Sequence, residues 1–150
     1  MRVGEVCGLH VEDVNLENQL AHITTSKDGE DRTVPFTAGC ASMIETYLAN
    51  RPAYRPSHIF VGTRGRQIQG AFTVYGARIM ISRRCRELGI AHTNPHSIRH
   101  MFATRALNAG MRVEVVSKIL GHASVDFTLR VYASLLMETV QREYNRHWMP

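Results

Sequence analysis

A chain of 150 residues with 44% hydrophobic and 21% charged residues is long enough for one packed core, too short to expect two, and too apolar to remain disordered. Its formal charge of +5, with eight histidines taken as neutral, leans toward an anionic partner. No apolar run reaches the length of a membrane span, and no signal-like segment follows Met1. Cys7, Cys40 and Cys85 are odd in number and widely spaced, which argues against a disulfide framework and for a reduced, cytoplasmic protein.

Val3, Val6 and Leu9 recur at helical spacing, so the chain is expected to open inside an amphipathic helix. From Val11 to Asn18 the pattern alternates only loosely, with Asp13, Asn15 and Asn18 supplying turns. Leu20 to Thr24 and Arg32 to Phe36 flank a polar segment with Asp28-Gly29 at its centre. That is a hairpin pattern, in which Pro35 puts the second strand at an edge or at its end. Thr37 can cap a helix through Met43, Ile44, Tyr47 and Leu48, which Pro52 stops.

Residues 54–70 are expected to be mostly loop around a short Ile59-Phe60-Val61 strand, with Arg64 and Arg66 exposed. A basic helix from about Ala71 to Leu88 carries Arg78, Arg83, Arg84 and Arg86 and is ended by Gly89. A solvated polar face and a phosphate-contacting one both fit it. Pro95 can open the next helix, which ends near Gly110. Val113, Val116, Ile119 and Leu120 form a further apolar stripe, ended by Gly121. Residues 125–136 read as a short helix or turn pair, and residues 138–148 as a tail helix with Val140, Tyr144 and Trp148 on one face.

Arg99 follows His96 by three residues, so both can project from one helix face. A capping histidine beside a surface arginine would look the same. Gly121 can take a left-handed conformation at a helix end and leave His122 at the rim of a cleft. Tyr132, ten positions later, suits ring packing as well as nucleophilic chemistry. A metal is not expected. His96 and His100 are one turn apart with His92 and Cys85 upstream, but no glutamate follows His96, and no close cysteine pair is present.

Arg2 within Arg2-Val3-Gly4-Glu5-Val6-Cys7-Gly8-Leu9, Lys27 in the hairpin, His96-Ser97-Ile98-Arg99-His100-Met101-Phe102-Ala103-Thr104, Leu120-Gly121-His122 and Tyr132 together resemble the catalytic domain of the tyrosine recombinases. That family includes phage and conjugative-transposon integrases and chromosome-dimer-resolving recombinases. The spacing from His122 to Tyr132 and the stretch from Thr128 to Tyr132 look most like the integrases of mobile elements. The fold implied is a mainly α-helical domain with a small antiparallel β-sheet. The resemblance implies a catalytic set of Arg2, Lys27, His96, Arg99, His122 and Tyr132, with Glu5 and His100 supporting it and Arg64, Arg66, Arg78, Arg83 and Arg84 available to the DNA backbone. It also implies double-stranded DNA as partner, four subunits on paired sites, accessory DNA-bending or directionality proteins, and no cofactor. Helices before the first arginine and a separate DNA-clamping domain would be expected ahead of Arg2. Neither is in this sequence, which therefore reads as an N-terminally truncated catalytic domain of uncertain activity.

The residue types suit the reaction implied. Displacement at a phosphodiester concentrates charge on nonbridging oxygens that guanidiniums can hold, and a phenol can attack phosphorus in line. Two other activities use similar residues: noncatalytic DNA binding through the basic helix and the Arg64 and Arg66 loop, and nicking and closing of the type IB topoisomerase kind.

Overall fold

The computed structural model describes residues 1–24, 31–51, 57–62, 70–122 and 125–148. Within the last stretch it describes the side chains of residues 125, 128, 129, 133, 137, 140, 141 and 143–148. The element order is α1 (Val3–Gly8), β1 (Val14–Asn15), β2 (Leu20–Ile23), β3 (Arg32–Pro35), α2 (Ala38–Asn50), α3 (Val74–Glu87), α4 (Pro95–Asn108), α5 (Val113–Leu120) and α6 (Val125–Trp148). This is the mainly helical architecture with a small antiparallel sheet that the sequence implied.

The sheet has the order β1-β2-β3. Ala21 pairs with Val34 and His22 with Thr33, and alternate residues on both strands turn inward: Ala21 and Ile23 on β2, Arg32 and Val34 on β3. Pro35, which cannot donate to a ladder, sits at the end of the edge strand β3. The short strand β1 was expected only as a loose alternation. It pairs Val14 with Ala21, after a turn in which Asn18 N–H donates to Asn15 Oδ1 at 2.8 Å and Gln19 takes a positive φ of 56°.

Two expectations are corrected. Ile59 to Val61 form no strand; isolated bridges join His58 to His10 and Val61 to Ala71, because the segment shares its backbone groups between two neighbours. Ile59 N–H donates to Leu9 O at 2.9 Å, and Phe60 O accepts from Phe72 N at 3.1 Å. The separate tail helix is instead the second half of one helix, α6, of 24 residues. No glycine or proline between Val125 and Trp148 interrupts it.

Helix starts follow their caps. Thr37 accepts from Cys40 N–H, Thr73 from Gly76 N–H, and Asn94 from Ser97 N–H, with Pro95 in the first turn of α4. The Thr73 cap starts α3 at Val74 rather than at Ala71.

Among the described residues, most of the buried apolar side chains gather in two clusters. Leu9, Ala21, Ile23, Val34 and Ile59 are buried under the sheet, with Tyr47, Leu48 and Ile119 against them. Ala103, Ala106, Leu107, Val116 and Leu120 are buried between α4 and α5. Ile119 and Leu120 are adjacent on α5 yet serve different clusters, so the end of α5 is where the sheet layer meets the helical layer. Among the described residues no helix is long and apolar enough to cross a membrane.

Candidate active site

The end of α5 is also where the site is built. A helix C-terminus presents carbonyls with no intrahelical partner and carries partial negative charge. Gly121, at φ 67° and ψ 50°, turns the chain so that its own N–H and that of His122 cover Ser117 O, at 2.9 and 3.2 Å. Gly121 N–H also reaches Lys118 O at 3.1 Å, and the three carbonyls after that one each accept from an arginine brought in by a different element. Arg32 Nε on β3 donates to Ile119 O at 3.2 Å, Arg99 Nη2 on α4 to Leu120 O at 2.6 Å, and Arg2 Nη2 at the start of α1 to Gly121 O at 3.0 Å. Three guanidiniums are therefore gathered at the negative end of one short helix.

Glu5 ties two of them together. Its Oε2 accepts from Arg32 Nη2 at 2.7 Å and from the Arg2 backbone N–H at 2.6 Å, while its Oε1 lies 3.5 Å from Arg2 Nη1. Burial alone would raise the Glu5 carboxyl. The hydrogen bonds from Arg32 and the Arg2 amide outweigh it and hold the group below the usual carboxylate range. The Glu5 contact with the exposed Arg2 guanidinium is long and open to solvent screening, so the short, buried link to Arg32 is the structural one.

Arg2, Val3, Arg78, Asn94, Pro95, His96, Arg99 and His122 line a cavity of about 540 Å³. It collects four of the six residues assigned to catalysis from the sequence, carried by three different parts of the chain: the start of α1, α4 and the turn after α5. Arg78, expected only as a backbone contact, reaches it from α3. His122 lines it as a neutral ring: burial, then Arg99, Arg2 and Arg32, push its pKa below the ordinary histidine value. Its Nδ1 lies 2.6 Å from Oγ1 of Thr128, a residue of α6 that is fully buried. A cavity lined by arginines and a neutral histidine suits a phosphate or another compact oxyanion.

Of the remaining assignments, His100, Arg83 and Arg84 do not line it. His100 is exposed, with its Nδ1 3.5 Å from Thr104 Oγ1, and is not part of the cavity lining. Arg83 and Arg84 pair with Glu87 at 3.5 and 2.8 Å near the far end of α3. Tyr132 belongs to α6, but its side chain lies outside the described residues, as do Lys27, Arg64 and Arg66 altogether. A second cavity, of about 690 Å³, shares Arg2 with the first and runs past Glu5, His10, Asp13 and His22 to Thr24, where β2 leads into the Lys27 segment.

Two residues of the site were given no role from the sequence. Arg32 left a legible signal: it shares the inward parity of Val34 on β3, and a charge on the buried face of a strand calls for a partner. Thr128 left none, since a threonine in a helix is as readily solvent-facing.

Residues 1–139 match the profile of the phage integrase family. The chain is 35% identical over 145 residues to the tyrosine recombinase XerA of Pyrococcus furiosus, covering 95% of this chain and 50% of that protein. It thus spans about half the length of that curated relative. Among solved structures it is similar to a crystal structure of XerA recombinase, with a TM-score of 0.80 and 29% identity over 99% of this chain and 54% of the other. It is also similar to the XerH site-specific recombinase bound to difH substrate in a pre-cleavage complex, with a TM-score of 0.74 and 26% identity over 94% of this chain and 41% of the other.

Proposed function

Since the chain belongs to the phage integrase family, we propose that it forms part of the catalytic domain of a tyrosine recombinase, which cleaves and rejoins double-stranded DNA at specific sites through a 3′-phosphotyrosyl intermediate, in recombination or in integration and excision of a mobile element. The observation that carries this reading is the cavity in which Arg2, His96, Arg99 and His122 converge with Arg78.

In this reading the scissile phosphate enters that cavity. Arg2 and Arg99 present guanidinium N–H groups to its nonbridging oxygens and stabilise the charge that grows there as the phosphorus becomes five-coordinate. Their hydrogen bonds to Gly121 O and Leu120 O hold them in place beforehand, so little reorganisation is left for the reaction. His122 donates a further hydrogen bond. The Tyr132 phenol oxygen attacks phosphorus in line, and the bond from phosphorus to the 5′ oxygen breaks. Lys27 gives the departing 5′ oxygen its proton, and His96 takes up the phenol proton or supports the phosphate. A 5′ hydroxyl of a second strand reverses these steps and rejoins the DNA in a new arrangement, with no water consumed.

Recombination on paired sites takes four active centres, so the partners proposed are double-stranded DNA, three further subunits, and accessory proteins that bend DNA or set direction. Met137, Val140, Tyr144 and Trp148 leave an exposed apolar stripe on the second half of α6, which suits contact with a neighbouring subunit.

The test is incubation with a nicked suicide substrate carrying the element's end sequence, or a randomised library, followed by a denaturing gel. A slow-migrating species that protease removes is expected. Salt-sensitive binding with no such species would favour a noncatalytic DNA-binding role.

A further inference from the structure

The contact between His122 and Thr128 determines more than the position of a ring. An imidazole that is neutral carries one proton, and which nitrogen holds it decides whether the other is a donor or an acceptor. With Nδ1 lying 2.6 Å from Thr128 Oγ1, two arrangements satisfy the distance. The hydroxyl can donate to a bare Nδ1, leaving the proton on Nε2. Alternatively Nδ1–H donates to the hydroxyl and Nε2 is bare.

The surroundings discriminate between them. His122 lines a cavity that it shares with Arg2, Arg78 and Arg99, so the occupant is anionic. A bare ring nitrogen directed at an anion repels it, whereas an N–H attracts it. Burial and the three nearby guanidiniums of Arg99, Arg2 and Arg32 disfavour a second proton on the ring, so a neutral tautomer serves both sides. Thr128 is fully buried on the first turns of α6, which leaves its hydroxyl little freedom to seek water instead.

We propose that Thr128 is a positioning residue that donates its hydroxyl proton to Nδ1 of His122, fixes the tautomer with the proton on Nε2, and so makes His122 a neutral hydrogen-bond donor into the anion cavity. This rests on the recombinase reading for the identity of the anion, but not for the tautomer. A neutral imidazole N–H is too weak an acid to surrender its proton, so His122 steadies the transition-state charge and leaves proton transfer to Lys27 and His96. No bond is made or broken at His122 itself. Thr128 also ties that donor to α6, the helix that carries Tyr132, so the donor and the proposed nucleophile are set by one element.

The experiment is long-range proton–nitrogen correlation NMR on the nitrogen-15-labelled chain without DNA, with the His122 signals identified by their loss in His122→Gln. The expected spectrum has a bare Nδ1 and a protonated Nε2 for His122. Thr128→Val should shift it toward a mixture of tautomers, and Thr128→Ser should restore it. A protonated Nδ1 in the unmodified chain would overturn the proposal, and that spectrum decides the point even if Thr128→Val folds poorly. In the suicide-substrate assay Thr128→Val should slow adduct formation about tenfold at unchanged DNA affinity, a part of the loss expected when a transition-state donor is removed outright. A Val variant that folds and cleaves at the parent rate would also overturn it. The expected tautomer in a chain that forms no adduct would count against the recombinase reading and leave the Thr128 assignment standing.

Discussion

Gly121 lies directly against the guanidinium of Arg32: a Cβ at position 121 would come within 2.6 Å of Arg32 Cζ and 2.7 Å of its Nε and Nη1. The arginine cannot step aside freely, because it is buried and held by Glu5 Oε2 and Ile119 O. Position 121 thus needs glycine twice over, for its left-handed backbone and for the space that Arg32 takes.

Gly121→Ala should therefore destabilise the chain by about 2–5 kcal/mol, adding a left-handed backbone cost of about 1–2 to an overpacking cost of about 1–3. Urea denaturation midpoints measure it. The double variant Gly121→Ala, Arg32→Ala should recover the packing part but not the backbone part, which appears as a nonadditive double-mutant cycle.

Arg32 and Glu5 make the buried ion pair of the described residues, at 2.7 Å and with side chains 6% and 10% exposed. Removing one partner strands the other in the interior. Arg32→Met alone should cost about 3–5 kcal/mol, and adding Glu5→Gln to it should cost less than the two single changes summed. Equal, additive losses would mean that the two residues act independently.

Acid should weaken the fold in two steps. The His122 ring and the Glu5 carboxyl both have folded-state pKa values below their ordinary ones, so in each case the unfolded chain binds the proton first. The contribution of these two groups is full above the ordinary histidine value of about 6.5. It falls as pH drops below that value through the His122 window, and falls again below the ordinary glutamate value of about 4.3. His122→Gln should flatten the first decline relative to the parent, and Glu5→Gln the second, in denaturation midpoints measured across pH.

Charge alone does not account for the role given to Arg99. A lysine there keeps the charge but cannot hold Leu120 O and offer a second planar N–H to a phosphate. Arg99→Lys should slow covalent adduct formation by on the order of a hundredfold, with noncovalent DNA affinity little changed. A parallel loss of affinity would make Arg99 a binding residue only.

The two ends of α3 should differ in DNA binding. Arg78 lines the cavity, whereas Arg84 is engaged by Glu87 at 2.8 Å. Arg78→Ala should reduce the salt slope of binding by about 0.9 for a single phosphate contact, and Arg84→Ala should leave it unchanged.

Much of this arrangement was legible before any coordinates. A cap at Thr37, Pro95 in a first turn and Gly121 at a helix end are local signals, read from side-chain chemistry and backbone sterics, and each marks an element boundary observed here. The meeting of Arg2, His96, Arg99 and His122 in one cavity is a long-range property. Their order along the chain pointed to it only through family resemblance. What the sequence did not disclose is how those side chains are supported. That the successive carbonyls of Ile119, Leu120 and Gly121 take three arginines depends on where β3, α4 and α1 end relative to one another, and no periodicity encodes it. The unbroken α6 was missed for the opposite reason: its continuity rests on an absence of breakers, which is weaker to read than a cap.

The measurement that bears most directly on the central claim is mass-spectrometric mapping of the protein–DNA adduct trapped on a suicide substrate. The account predicts a single modified peptide, with the DNA joined through its 3′ phosphate to the Tyr132 oxygen. Attachment to any other residue, or through a 5′ phosphate, would contradict it.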